Sequence, residues 1–177
     1  MSNALAIFGG TPVTTKNFLV YNTIGDDEKR AVMEVLDSGN LSCFVANGSD
    51  AFYGGPKVRQ LERAWAQFFG VKHAVSMNSA TSGLYAAVAA CSIGPGDEVI
   101  LSPLTMCATG TAILLNGATP VFCDVDPLTM NMDPNRIEDC VTSKTKAIFV
   151  VHLGGHPCDM DPIIGIARKY QLRVLGD

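Results

Sequence analysis

The sequence predicts an α/β fold, a mainly parallel sheet with helices on both faces. Three observations lead there. From His73 onward, short apolar runs alternate with segments whose apolar residues recur at helical spacing. One run, KAIFVVHL at 146–153, is apolar almost without a break, as a strand covered on both faces must be. Turns rich in Gly and Pro, such as IGPGDEVILS, separate the segments. Strands alternating with helices build right-handed βαβ units, and these make a parallel sheet.

Residues 1–70 are expected to form a helical and loop segment, and residues 71–177 the alternating portion. Thr23-Ile24-Gly25-Asp26 resembles a capping box, after which Ala31, Val32, Val35 and Leu36 make an apolar stripe that ends at Gly39. NLSCFVANGSDAFYGGP reads as a loop. Pro56 opens a second helix with Val58, Leu61, Trp65 and Phe68 on one face, a spacing expected of core residues, and Gly70 closes it. The alternating portion begins with a strand at 73–77 and a helix at 81–92. IGPGDEVILS is a turn and a strand, followed by a helix at 106–116 that Gly117 stops. TPVFCDV is a strand, and Asp133-Pro134 starts a helix with Asp at the N-cap and Pro in the first turn. KAIFVVHL is the buried strand, Asp161-Pro162 starts another helix, and LRVLGD is the last strand. The expectation is thus five strands and four helices in this portion.

Composition excludes several classes. With 47% hydrophobic and 17% charged residues, the 177-residue chain can bury enough apolar surface to form an ordinary domain. A net charge of −4, with Lys and Arg scattered, gives no footprint for nucleic acid or an anionic membrane. No apolar run reaches the ~18 residues of a membrane helix, and MSNALAIFGG lacks the basic start of a signal peptide. The six cysteines form no C-x-x-C pair and sit mostly in apolar segments, which reads as reduced, buried thiols in a cytosolic protein.

In open α/β sheets ligands bind beyond the carboxyl ends of the strands. Those ends are Asn78–Gly83, Pro103–Met106, Asp124–Asp126, His152–His156 and Asp177. At the first, small hydroxyl residues run directly into an Ala-rich helix. Ala80, Thr81, Ser82 and Gly83 would let an anion approach unpaired helix N–H groups and add hydroxyl donors, which suits a phosphate. Plain N-capping by Ser79 or Thr81 accounts for the same residues. Neither G-x-G-x-x-G after a strand nor G-x-x-x-x-G-K-[ST] occurs, so NAD and nucleoside triphosphates are poor candidates. Asp177 follows a buried strand, where a carboxylate needs a partner; taken alone, an aspartate that opens a surface loop is the simpler reading. His152, His156, Cys158, Asp159 and Asp161 mix ligand types around Pro157, so a loop after a strand is preferred to a metal site.

Taken in order, GGPKVRQLE, NSATSGL, IGPGDEVILSPLT, VFCDVDPLTMNMD, TKAIFVVHLGGHPCDMDPI and VLGD resemble the StrS/DegT-type sugar aminotransferases, which use pyridoxal 5'-phosphate. The resemblance runs from FGGTPV to Asp177, and LAIFGGTPV with FYGGPKV leans toward the branch acting on inososes and related cyclic ketones. It implies the large domain of the aspartate-aminotransferase-like fold, PLP fold type I, incomplete at its C-terminal side. It places the phosphate turn on Ala80, Thr81 and Ser82, and the carboxylate for the pyridinium nitrogen on Asp177. The residue against the cofactor ring falls on Met106, where the family usually has an aromatic, so stacking is expected to be weaker. His152 falls near the substrate side.

The resemblance also implies a homodimer with active sites at its interface, an amino-acid donor and a keto sugar or keto cyclitol as acceptor, in the cytoplasm. The family's Schiff-base lysine lies beyond the aspartate, and none of Lys16, Lys29, Lys57, Lys72, Lys144, Lys146 and Lys169 fits that role. The chain is therefore expected to be the N-terminal part of a longer enzyme, inactive alone, with apolar faces left uncovered. Two other readings are a sugar dehydratase of the same fold, with histidine in place of that lysine, and a non-catalytic relic that binds a partner.

Overall fold

The computed structural model describes residues 4–17 and 20–177. Residues 1–3, where the sequence reading of the N-terminus begins, lie outside them. The chain divides into two compact units, Met1–Gln60 and Leu61–Asp177.

In the first unit, α1 spans Asp26–Asp37. Its N-cap is Gly25 rather than Thr23, and the Glu28 carboxylate reaches back to accept the Gly25 N–H at 2.7 Å. Acidic Asp26, Asp27 and Glu28 in the first turn complement the helix dipole, and the Gly25 bond holds the Glu28 carboxyl below its usual range. Helix α2, Pro56–Phe69, begins in this unit and runs into the second. Lys57 Nζ meets Glu34 Oε2 at 2.6 Å.

The stripe expected of α2 forms, but it is not core. Trp65 is 56% and Phe68 82% exposed. Amphipathic spacing requires only that a face be covered by something, and the described residues leave much of this one open.

The second unit is built on a four-stranded parallel sheet, β1 Glu98–Leu101, β2 Thr119–Phe122, β3 Thr145–Val150 and β4 Arg173–Gly176, in the order β2-β1-β3-β4. Apolar residues on both faces of β1 and β3 explain the layering. Val99, Leu101, Ala147 and Phe149 pack with Leu84, Val88, Ala112 and Ile113 of helices α3 (Ala80–Ala90) and α4 (Cys107–Leu115). Ile100, Ile148 and Val150 turn the other way, onto Ile137 of α5 (Pro134–Ile137) and Ile163 and Ala167 of α6 (Met160–Tyr170). From Ala147 to Val150 the strand is at most 1% exposed.

Residues 73–77 are apolar but form no strand. A strand exists through its neighbour's hydrogen bonds, and no neighbour pairs with this segment among the described residues. Ser76 instead gives its N–H and hydroxyl to Glu62 Oε1, at 2.8 and 3.0 Å. The sheet therefore has four strands where five were expected. The last helix starts at Met160, with Asp159 and not Asp161 at the N-cap position and no side-chain bond closing it, whereas Asp133 caps α5 as its sequence predicts, accepting Asn135 N–H at 2.9 Å.

Gly117 ends α4 with φ +80°, where a Cβ would lie 2.9 Å from Pro95 Cγ. Replacing it by Ala should cost about 1–3 kcal/mol in the natural full-length protein, and Phe149→Ala about 3–5 kcal/mol through the cavity left between sheet and helices. Urea unfolding measures both.

Candidate functional site

The strand order places a switch point between β1 and β3: the chain leaves β1 toward β2 on one side and passes from β3 to β4 on the other. Loops leaving the carboxyl ends there part to opposite faces and open a crevice. After Leu101, the buried Ser102 accepts the Leu104 N–H on its hydroxyl at 3.2 Å and turns the chain toward Met106. Met106 is the N-cap of α4 in extended conformation, with its side chain open to solvent. Its carbonyl accepts the Thr109 N–H at 3.2 Å.

Asp177 arrives at the same place from β4. Its N–H donates to the Val150 carbonyl at 3.0 Å and its carbonyl accepts the His152 N–H at 3.5 Å, which extends the β3–β4 ladder by one step. Its carboxylate Oδ2 accepts the Thr109 hydroxyl. Met106, His152 and Asp177 are thus brought together, with Thr109 as the link. Thr109 carries no signal in the sequence. A threonine in CATGTAILL looks like helix filler, and only the fold aligns it with a carboxylate 68 residues away.

His152 is held by its own loop. Its Nδ1 accepts the Cys158 N–H at 3.0 Å, so the neutral ring carries its proton on Nε2. Cys158 donates its thiol to the Val151 carbonyl at 3.1 Å, and burial pushes that thiol up. The buried Asn131, also unmarked in the sequence, accepts the Leu153 N–H at 3.1 Å and donates to the His156 carbonyl at 2.9 Å. These bonds fix residues 152–158 as a loop. Among the described residues no three His, Cys, Asp or Glu side chains stand together as metal ligands. A cavity of about 350 Å³ beside this loop is lined by Asp126, Asp133 and Asp159, a poor setting for a phosphate.

The predicted phosphate turn opens α3. Ser79 is the N-cap: its hydroxyl accepts the Ser82 N–H at 3.1 Å and lies 3.0 Å from the Ser82 hydroxyl. Capping by Ser79 is therefore realised, and it occupies the Ser82 amide. The amides of Ala80 and Thr81 and the Thr81 hydroxyl have no hydrogen-bond partner among the described residues. Among the described residues no hydrogen bond joins this turn to the Asp177 group; the two are related through α3 and α4, where Asn116 Nδ2 donates to the Tyr85 carbonyl at 3.3 Å. Open helix N–H groups fit a phosphate, and an exposed carboxylate at a strand end fits a protonated ring nitrogen.

The cysteines divide by burial. All six are unpaired; Cys123 and Cys158 are buried, and Cys107 is exposed beside Met106. Burial first, and then the neighbouring Cys140, push the Cys123 thiol up to about 12. A thiol raised above its unfolded value of ~8.5 stabilises the fold below that pH, and the contribution is lost as pH rises toward 12. Alkylation of the native protein at pH 8 should label Cys107 and spare Cys123 and Cys158, as peptide mass mapping would record.

The DegT/DnrJ/EryC1/StrS aminotransferase family matches residues 23–177. The chain is 48% identical over 163 residues to the spore coat polysaccharide biosynthesis protein SpsC of Bacillus subtilis (strain 168), covering 91% of this chain and 39% of that protein. It is 39% identical to the L-glutamine:2-deoxy-scyllo-inosose aminotransferase of Streptomyces lividus, covering 100% of this chain and 41% of that one. The solved structure of NtdA from Bacillus subtilis with bound cofactor PMP superposes with a TM-score of 0.76 at 32% identity, over 85% of this chain and 32% of that chain. The chain thus spans about two fifths of the length of these two sequence relatives. The sheet is that of PLP fold type I, and the family's cofactor is pyridoxal 5'-phosphate. This chain belongs to the DegT/DnrJ/EryC1/StrS aminotransferase family.

Proposed function

We propose, with that membership as premise, that the protein carrying this chain is a pyridoxal-phosphate-dependent aminotransferase that moves an amino group from an amino acid to a keto sugar or keto cyclitol. The observation that carries the reading is Asp177: a carboxylate at the end of β4, beside the switch point, in a unit that also offers an open helix N-terminus at Ala80 and Thr81. The names of its relatives, one in polysaccharide biosynthesis and one an L-glutamine:2-deoxy-scyllo-inosose aminotransferase, support a sugar or cyclitol acceptor and an amino-acid donor such as glutamine.

The cofactor supplies an electron sink for the carbanion formed at the substrate carbon. The residues of this chain hold it. Ala80 and Thr81 give backbone amides, and Thr81 and Ser82 hydroxyls, to the phosphate. Asp177 keeps the proton on the ring nitrogen. Met106 would flank the ring through its polarisable thioether, a weaker contact than an aromatic makes. His152 presents Nε2–H as a donor toward the acceptor's hydroxyl groups. Within this proposal residues 71–177 are the cofactor-binding portion of the large domain and residues 1–70 its N-terminal segment. The Schiff-base lysine lies outside these 177 residues, so they do not transaminate alone. A cytoplasmic homodimer covers the stripe that Leu61, Trp65 and Phe68 expose.

The natural full-length protein, given glutamine or glutamate and a keto cyclitol or a nucleotide-linked keto sugar, should yield the amino product by mass spectrometry. Asp177→Asn should lower the rate by about 10²-fold or more, the scale at which removing one stabilising polar group acts. An unchanged rate in that variant would overturn the role of Asp177, and absence of amino transfer from every donor and acceptor pair would overturn the activity.

A further inference from the structure

Thr109 stands apart from every residue assigned above. It is fully buried near the start of α4, and its hydroxyl reaches Asp177 Oδ2 at the end of another element. We propose that Thr109 is a positioning residue for Asp177: its hydroxyl holds Oδ2 and thereby leaves Oδ1 as the oxygen that meets the cofactor's ring nitrogen. The proposal rests on the reading of Asp177 given under the proposed function.

A hydroxyl has one proton and two lone pairs, so its neighbours decide where the proton goes. Thr109 Oγ1 lies 2.9 Å from Thr105 Oγ1 and 3.3 Å from the Met106 carbonyl. The carbonyl bond is the ordinary local one for a threonine in the first turn of a helix, and it competes with the carboxylate for the single proton. A charged acceptor makes the stronger bond, so the proton is given to Asp177. Thr105 is then the donor to Thr109, and the three side chains form a directed line from Thr105 through Thr109 to Asp177. Asp177 is exposed, and its backbone is fixed by Val150 and His152. Those bonds leave the rotation of the carboxylate free, and among the described residues Thr109 is the side chain that stops it.

The test uses the natural full-length protein with Thr109→Val, which keeps the shape and removes the donor, Thr109→Ser, which keeps the donor, and Asp177→Asn. Two quantities are read: the dissociation constant for pyridoxamine 5'-phosphate, by fluorescence, and the pH at which the bound ring nitrogen loses its proton, by absorbance. Thr109→Val should weaken binding about tenfold and move the ring titration to lower pH, and Thr109→Ser should restore both to within about threefold. A Thr109→Val protein that keeps the natural affinity and ring titration, while Asp177→Asn loses both, overturns the proposal and spares the reading of Asp177. Natural values in Asp177→Asn overturn that reading, and the proposal with it. Should Thr109→Val fail to fold, the half-buried Thr105→Ala carries the test. It should weaken binding about two- to threefold, and unchanged values there would overturn the proposal.

Discussion

Burial of both faces of β1 and β3 is the constraint on which the rest of the structure depends. Val99 to Leu101 of β1 and Ala147 to Val150 of β3 are all apolar and buried, and neighbours point to opposite sides: Phe149 toward α3 and α4, Ile148 and Val150 toward α5 and α6. A slip of one residue would exchange the two sets and bury neither correctly. The register is therefore fixed, with Val150 opposite Gly176, and the residue that follows β4 is Asp177. The position of one exposed carboxylate follows from the packing of side chains beneath it.

The same constraint separates two kinds of charge. Helices that follow parallel strands point their N-termini to the side where the strands end, so open N–H groups gather there. Helix α3 follows no strand among the described residues, yet its N-terminus leaves the amides of Ala80 and Thr81 open, while Asp177 supplies the opposite sign. A ligand with both a phosphate and a protonated ring nitrogen calls for both signs, whereas the carboxylate-lined cavity near His156 offers no setting for the phosphate.

Much of this was legible in the sequence because it depends on local chemistry. The Asp133-Pro134 helix start, the continuous apolar run of β3 and the Gly117 stop each follow from a few neighbouring residues. What failed to follow depends on partners distant in the chain. Residues 73–77 have a strand's composition and, among the described residues, no strand to pair with. Trp65 and Phe68 have a core spacing, and the described residues leave both largely exposed. Asp177 was visible as a strand-end carboxylate, yet its bond to Thr109 was not, because no pattern within α4 points 68 residues ahead. Ser79 was half legible: the cap forms as its residues suggest, and it takes one of the amides expected for the phosphate.

The central claim is that Asp177 keeps a proton on the ring nitrogen of the bound cofactor. Nitrogen-15 NMR of the natural full-length protein, loaded with pyridoxamine 5'-phosphate labelled at the ring nitrogen, tests it most directly. The account predicts the shift and the one-bond coupling of a protonated nitrogen, at pH values where the free cofactor has lost that proton. A bound ring nitrogen that titrates as it does in free solution would contradict the account.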